Sequence, residues 1–65
     1  MAEADLVVQK LHYLTLGRFP NLSPSKGVIE RTLAEAGIAR VRDIADLSAT
    51  ELRQLTDAVA AASHG

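Results

Sequence analysis

Few side chains in this sequence have reactive chemistry to offer. The histidines are His12 and His64 alone, and there is no cysteine. No serine or carboxylate falls at a spacing that would pair with either imidazole as a nucleophile or proton carrier, so the sequence reads as non-enzymatic. Histidines and carboxylates do not group at ligand spacings either. A disulfide framework and a cysteine-ligated zinc site are excluded, and neither a metal nor a cofactor is expected.

The distribution of charge says more. No acidic residue occurs between Asp5 and Glu30, whereas Lys10, Arg18 and Lys26 fall inside that interval and Arg31 just beyond it. The whole chain has seven basic and eight acidic side chains, a net charge of −1, which gives no general attraction to a polyanion. Any anion-binding surface therefore has to be local. A second chemistry is apolar: Leu6, Tyr13 and Leu16 widen the face of the first helix beyond one stripe, and with Phe19 and Leu22 they could line a groove. A helix or peptide of another protein is the natural occupant of such a surface. Arg40, Arg42, Asp43 and Asp46 make a mixed-charge cluster of the kind that usually lies on a solvated helix face.

The elements that must position these groups are helical throughout. Val7, Leu11 and Leu14 recur at helical spacing over residues 3–16, flanked by Val8, with Glu3, Lys10 and Thr15 assigned to the opposite, solvent side. Gly17 can take positive φ and end this helix, and Pro20 pushes Phe19 out of the helical region. Ser23 before Pro24 reads as an N-cap followed by a proline at the first helical position, which starts a second helix at 24 and carries it to 36. Between the two, Leu22 is expected to point inward and Asn21 is the residue best suited to positive φ. Ile29, Leu33 and Ala36 form the apolar face of the second helix. Gly37 ends it, with Ile38 folding back on the last turn. Val41, Ile44, Ala45 and Leu47 suit a short helix over 40–46. Ser48-Ala-Thr-Glu51 is a capping box opening a final helix over 49–62, with Leu52, Leu55, Val59 and Ala62 on one face. Ser63, His64 and Gly65 are expected to fray.

No strand pattern, low-complexity tract or long linker competes, so the expectation is one all-α, compact four-helix domain over residues 1–65. A chain of 65 residues sits near the lower limit for a core without cross-links, and buries only about 60% of its unfolded surface. The acidic start Met-Ala-Glu-Ala-Asp and the lack of an apolar run near about 18 residues point away from a secretory signal or membrane span. A cytoplasmic protein is the expectation.

Residues 16–33 resemble the hairpin of the helix-hairpin-helix family, in which a proline, a glycine, an aliphatic residue and a second glycine lead into a helix that often opens Pro-Ser-Lys-Ala. Pro20, Leu22, Pro24, Ser25 and Lys26 match, Gly27 stands where a small residue is usual, and Asn21 and Ser23 replace the two glycines. The stretch from Leu33 to Leu52 is similar to the linker and helix that follow in tandem members, and to the C-terminal domain of the bacterial RNA polymerase alpha subunit. The resemblance implies a helix-hairpin-helix-like fold that binds the DNA backbone without reading sequence. Its contacts would come from Arg18, Asn21, Ser23, Ser25, Lys26 and Arg31, aided by the positive end of the helix dipole. The alternative is a protein-docking or adaptor module using an apolar groove of Leu6, Tyr13, Leu16, Phe19 and Leu22. Phe19 is read first as a lid over the core and second as an exposed anchor. Because such hairpins work in pairs and only one is present, a second copy or another protein is expected to supply the missing face.

Overall fold

The computed structural model describes residues 2–64, with only the backbone of His64, and comprises α1 (Glu3–Arg18), α2 (Lys26–Glu35), α3 (Val41–Ala45) and α4 (Ala49–His64). Among the described residues there is no strand, and the fold is all-α. α1 is the central element, packing against α2, α3 and α4, while α2 also packs against α4. The core is aliphatic: Val7 and Leu11 from α1, Ile29 and Leu33 from α2, Ile44 from α3, and Leu55 and Val59 from α4. Full burial of a side chain such as Leu11 is worth about 1.5–3 kcal/mol, more than an exposed ion pair supplies. The radius of gyration, 10.6 Å, is that of a closed fold of this length, about 10.7 Å, so no element stands away from the rest.

Three polar residues also lie in the interior, Thr15, Thr32 and Thr56. Each hydroxyl donates back to a carbonyl of its own helix: Thr15 to Leu11 at 2.8 Å, Thr32 to Val28 at 2.9 Å, and Thr56 to Leu52 and Arg53 at 3.2 and 3.0 Å. This corrects the assignment of Thr15 to the solvent side. With the hydroxyl satisfied one turn back, what remains is a methyl group that packs like a small aliphatic side chain. The same logic puts Thr56 in the buried face of α4, where Ala60 also lies, whereas Ala62 is exposed.

The helix boundaries follow from their caps. Gly17 does not end α1, which runs on to Arg18 and is closed by the Phe19 N–H donating to the Thr15 carbonyl at 2.8 Å. The Leu22 N–H then donates to the Phe19 carbonyl at 3.0 Å, making a tight turn with Pro20 and Asn21 at its centre. Among the described residues no non-glycine residue has positive φ, so Asn21 does not take the left-handed conformation expected of it, and the turn has the signs of type I. α2 starts two residues later than the Ser23-Pro24 pair suggests. Ser25 is the N-cap, its Oγ accepting from the Val28 N–H at 3.2 Å. Pro24 is buried just before that cap, in the N′ position opposite Ile29 at N4, the arrangement of a hydrophobic staple. Burying the ring while Ser25 supplies the acceptor satisfies more than a proline at the first helical position would.

Gly37 alone among the described residues has positive φ, +72°, and ends α2 as expected. The Ile38 N–H reaches the Leu33 carbonyl at 2.9 Å and the Gly37 N–H the Ala34 carbonyl at 3.1 Å, a Schellman pair. α3 is shorter than 40–46 and is held at its start by two carboxylates. Asp43 accepts from the Ala39 and Arg40 N–H groups at 3.1 and 3.0 Å, and Glu3 from the Val41 N–H at 3.2 Å. The Ser48/Glu51 capping box is formed, with distances of 2.9 and 3.1 Å. α4 does not fray at Ser63, whose Oγ donates to the Val59 carbonyl at 2.8 Å; Gly65 and the side chain of His64 lie outside the described residues.

Candidate functional site

The hairpin between α1 and α2 carries the basic residues, and the fold changes what they face. Arg18, the last residue of α1, turns back onto α4. Its Nη1 donates to Asp57 Oδ1 at 2.7 Å, Thr56 Oγ1 at 2.8 Å and the Arg53 carbonyl at 3.0 Å. Its guanidinium carbon also lies 5.0 Å from the centroid of the Phe19 ring. Lys26 is exposed, with its Nζ 3.7 Å from Asp5 Oδ1. The interval without acids in the sequence is thus closed in space by Asp5 and Asp57, which lie outside it. Sequence distance concealed both neighbours.

The remaining members of the hairpin set are dispersed. Asn21 and Ser23 are exposed in the turn, and the Ser25 hydroxyl is taken up in capping α2. Arg31 is exposed, but five residues beyond Lys26, which is about 140° round the helix. The first turn of α2 remains open: Lys26 is exposed, and Gly27 leaves its backbone without a side chain.

The apolar set divides. Leu6 and Tyr13 are exposed, 39% and 63%, on the same outward stripe of α1. With Gln9 and Lys10 they occupy positions i, i+3, i+4 and i+7, and Val41 joins them along one shallow depression. Phe19 and Leu22 line a different depression, with Arg18, Pro20 and Asn21. Phe19 and Leu22 are half-buried yet do not belong to the residues packed against the core. Leu22 therefore does not pin the turn inward, and Phe19 is not a core lid. Leu16 is half-buried on α1 and lines neither depression. His12 is half-buried, its ring 5.8 Å from that of Tyr13 and nearly perpendicular to it.

A third surface was not legible as a site from polarity. Glu51, Gln54, Leu55 and Ala58 form one stripe of α4, facing Thr32 and Glu35 of α2 and its C-cap residue Ala36. Together with Ile38 and Leu47 they border an open groove of about 450 Å³. Its lining includes the half-buried or buried Ile38, Leu47 and Leu55 and the exposed Glu35 and Glu51. Hydrogen bonds from the Ser48 backbone and hydroxyl hold the Glu51 carboxyl below its ordinary pKa. Asp43 is likewise held low, by the Ala39 and Arg40 N–H groups. The signal for the groove was spacing: residues 51, 54, 55 and 58 repeat with helical period beside the buried face.

Among the described residues no cluster of metal-ligating side chains occurs, and no helix is long and apolar enough to cross a membrane. No family profile, curated protein or solved structure matches this chain.

Proposed function

We propose that this chain is a non-enzymatic docking module that recognises another protein through the outward stripe of α1. Leu6 and Tyr13 are the apolar anchors, Lys10 the charged contact and Val41 the flank. The carrying observation is the exposure of Leu6 and Tyr13, 39% and 63%, on a helix whose opposite face already fills the core. A leucine and a tyrosine two turns apart on one stripe are the anchor pattern of helix-mediated recognition, and tyrosine contributes contact area at low entropic cost. The same proposal takes the setting to be the cytoplasm.

Sequence-independent binding of a DNA backbone by residues 18–31, which the helix-hairpin-helix resemblance implies, is the second reading. The open first turn of α2 at Lys26 and Gly27 favours it. It ranks second because Arg18 is committed to Asp57 and Arg31 points away from Lys26. Affinity capture from the native source separates the two, using the full chain with Leu6→Ala, Tyr13→Ala and Lys26→Glu variants. The proposal expects both α1 variants to lose a partner that Lys26→Glu keeps. Retention of every partner by Tyr13→Ala would overturn it.

A further inference from the structure

We infer that the acidic groove between α2 and α4 receives the α1 stripe of a second copy of this chain, giving a head-to-tail assembly. The inference rests on the reading of α1 as the docking element and supplies that element with an occupied surface. Three observations converge on it. The groove lies between side chains of the packed helices α2 and α4, a setting in which the face of a further helix can seat. Its lining combines apolar Ile38, Leu47 and Leu55 with the carboxylates of Glu35 and of Glu51, the latter also accepting from the Ser48 N–H, so an apolar helix face carrying a cation complements it. The outward stripe of α1 supplies that combination: Leu6 and Tyr13 stand exposed on one helical stripe, with the exposed Lys10 between them.

The two surfaces share no residue, so one copy can use both at once. An interface that joins different surfaces is heterologous: it closes into a ring if the rotation permits and otherwise extends as a filament. A net charge of −1 puts little repulsion between copies. Glu35 and Lys10 make no ion pair within the chain among the described residues, which leaves both available to a neighbour.

The test is sedimentation velocity of the full chain up to about 1 mM, the range in which weak contacts populate, with two variants that each break one surface. Tyr13→Glu spoils the stripe and leaves the groove. Ala58→Arg fills the groove, adds a cation facing Lys10 and leaves the stripe. Both positions are exposed, and circular dichroism checks that each variant folds. The wild type is expected to exceed the dimer with rising concentration, each variant alone to remain monomeric, and an equimolar mixture of the variants to stop at a dimer. A monomeric wild type at the highest concentration would overturn the inference. So would self-association of Ala58→Arg alone, which would mean that α1 pairs with itself. In either case, capture of another protein that still depends on Tyr13 would leave the docking reading standing.

Discussion

Arg18 Nη1 lies 2.7 Å from Asp57 Oδ1, joining the end of α1 to the middle of α4 across 39 residues of sequence. The same nitrogen reaches the buried Thr56 hydroxyl and the Arg53 carbonyl, so the basic residue nearest the turn serves the fold. Because the two side chains are 34% and 53% exposed, the pair itself is modest. A double-mutant cycle of Arg18→Ala and Asp57→Ala by urea denaturation is expected to give a coupling of about 0.5 kcal/mol that shrinks with salt. Arg18→Ala alone should cost more than Asp57→Ala, since it also removes the donor to Thr56 and Arg53. Equal single costs would contradict that network.

The buried threonines should not respond alike to replacement by valine. Thr15 only donates, to a Leu11 carbonyl one turn back in the same helix, so Thr15→Val removes no partner that depends on it. Its stability should fall within about 1 kcal/mol of the wild type. Thr56 also accepts from Arg18, and Thr56→Val leaves that guanidinium short of an acceptor. Thermal unfolding should show Thr56→Val as the less stable of the two.

The glycines separate in the same experiment. Gly17 has no positive φ, and a Cβ there meets nothing within 4 Å. Gly17→Ala should therefore stabilise by about 0.4–1 kcal/mol, through helix propensity and a less flexible unfolded chain. Gly37, at φ +72°, is equally open, but its backbone is one that an L side chain resists. Gly37→Ala should destabilise by about 1 kcal/mol. Opposite shifts in melting temperature are the expected result.

Stability should decline in acid before the core itself is challenged. The carboxyls of Glu51 and Asp43 are both held below their ordinary pKa by backbone N–H groups at helix starts. A depressed native pKa means that the unfolded chain binds the proton first. The contribution is therefore complete above the ordinary carboxylate range, about pH 4, and is lost as pH falls through the lower native values. Denaturation midpoints measured from neutral pH downward should be flat above that range and drop below it. In Glu51→Gln, which keeps the reciprocal hydrogen bond of a capping box, the drop should be smaller.

Signals carried by neighbouring residues were the ones legible in the sequence. The Ser48/Glu51 box, the Gly37 stop with Ile38 folding back, and the all-α character depend on spacings of a few residues. Features decided across the chain were not. Thr15 and Thr56 look polar, although each hydroxyl finds its acceptor inside its own helix. The start of α2 was read two residues early because Ser23-Pro24 has the form of a cap, whereas the Pro24 ring is buried and Ser25 caps the helix. The cluster of cations without acids dissolves once Asp5 and Asp57 are brought to Lys26 and Arg18. The exposed stripe on α1 was partly visible, in Leu6 and Tyr13. Its separation from Phe19 and Leu22 depends on a turn whose direction no local spacing encodes.

The most direct test of the central claim, that recognition uses the apolar stripe of α1 while Arg18 at the hairpin serves the fold, is an NMR titration. The labelled chain is mixed with a short mixed-sequence DNA duplex at low salt, and the amide signals of residues 17–31 are followed. The account predicts that these signals stay in place, because Arg18 is held by Asp57 and Lys26 stands apart from Arg31. Shifts confined to residues 17–31 that fade with added salt and disappear in Lys26→Glu would contradict it and establish the hairpin as a phosphate-binding site.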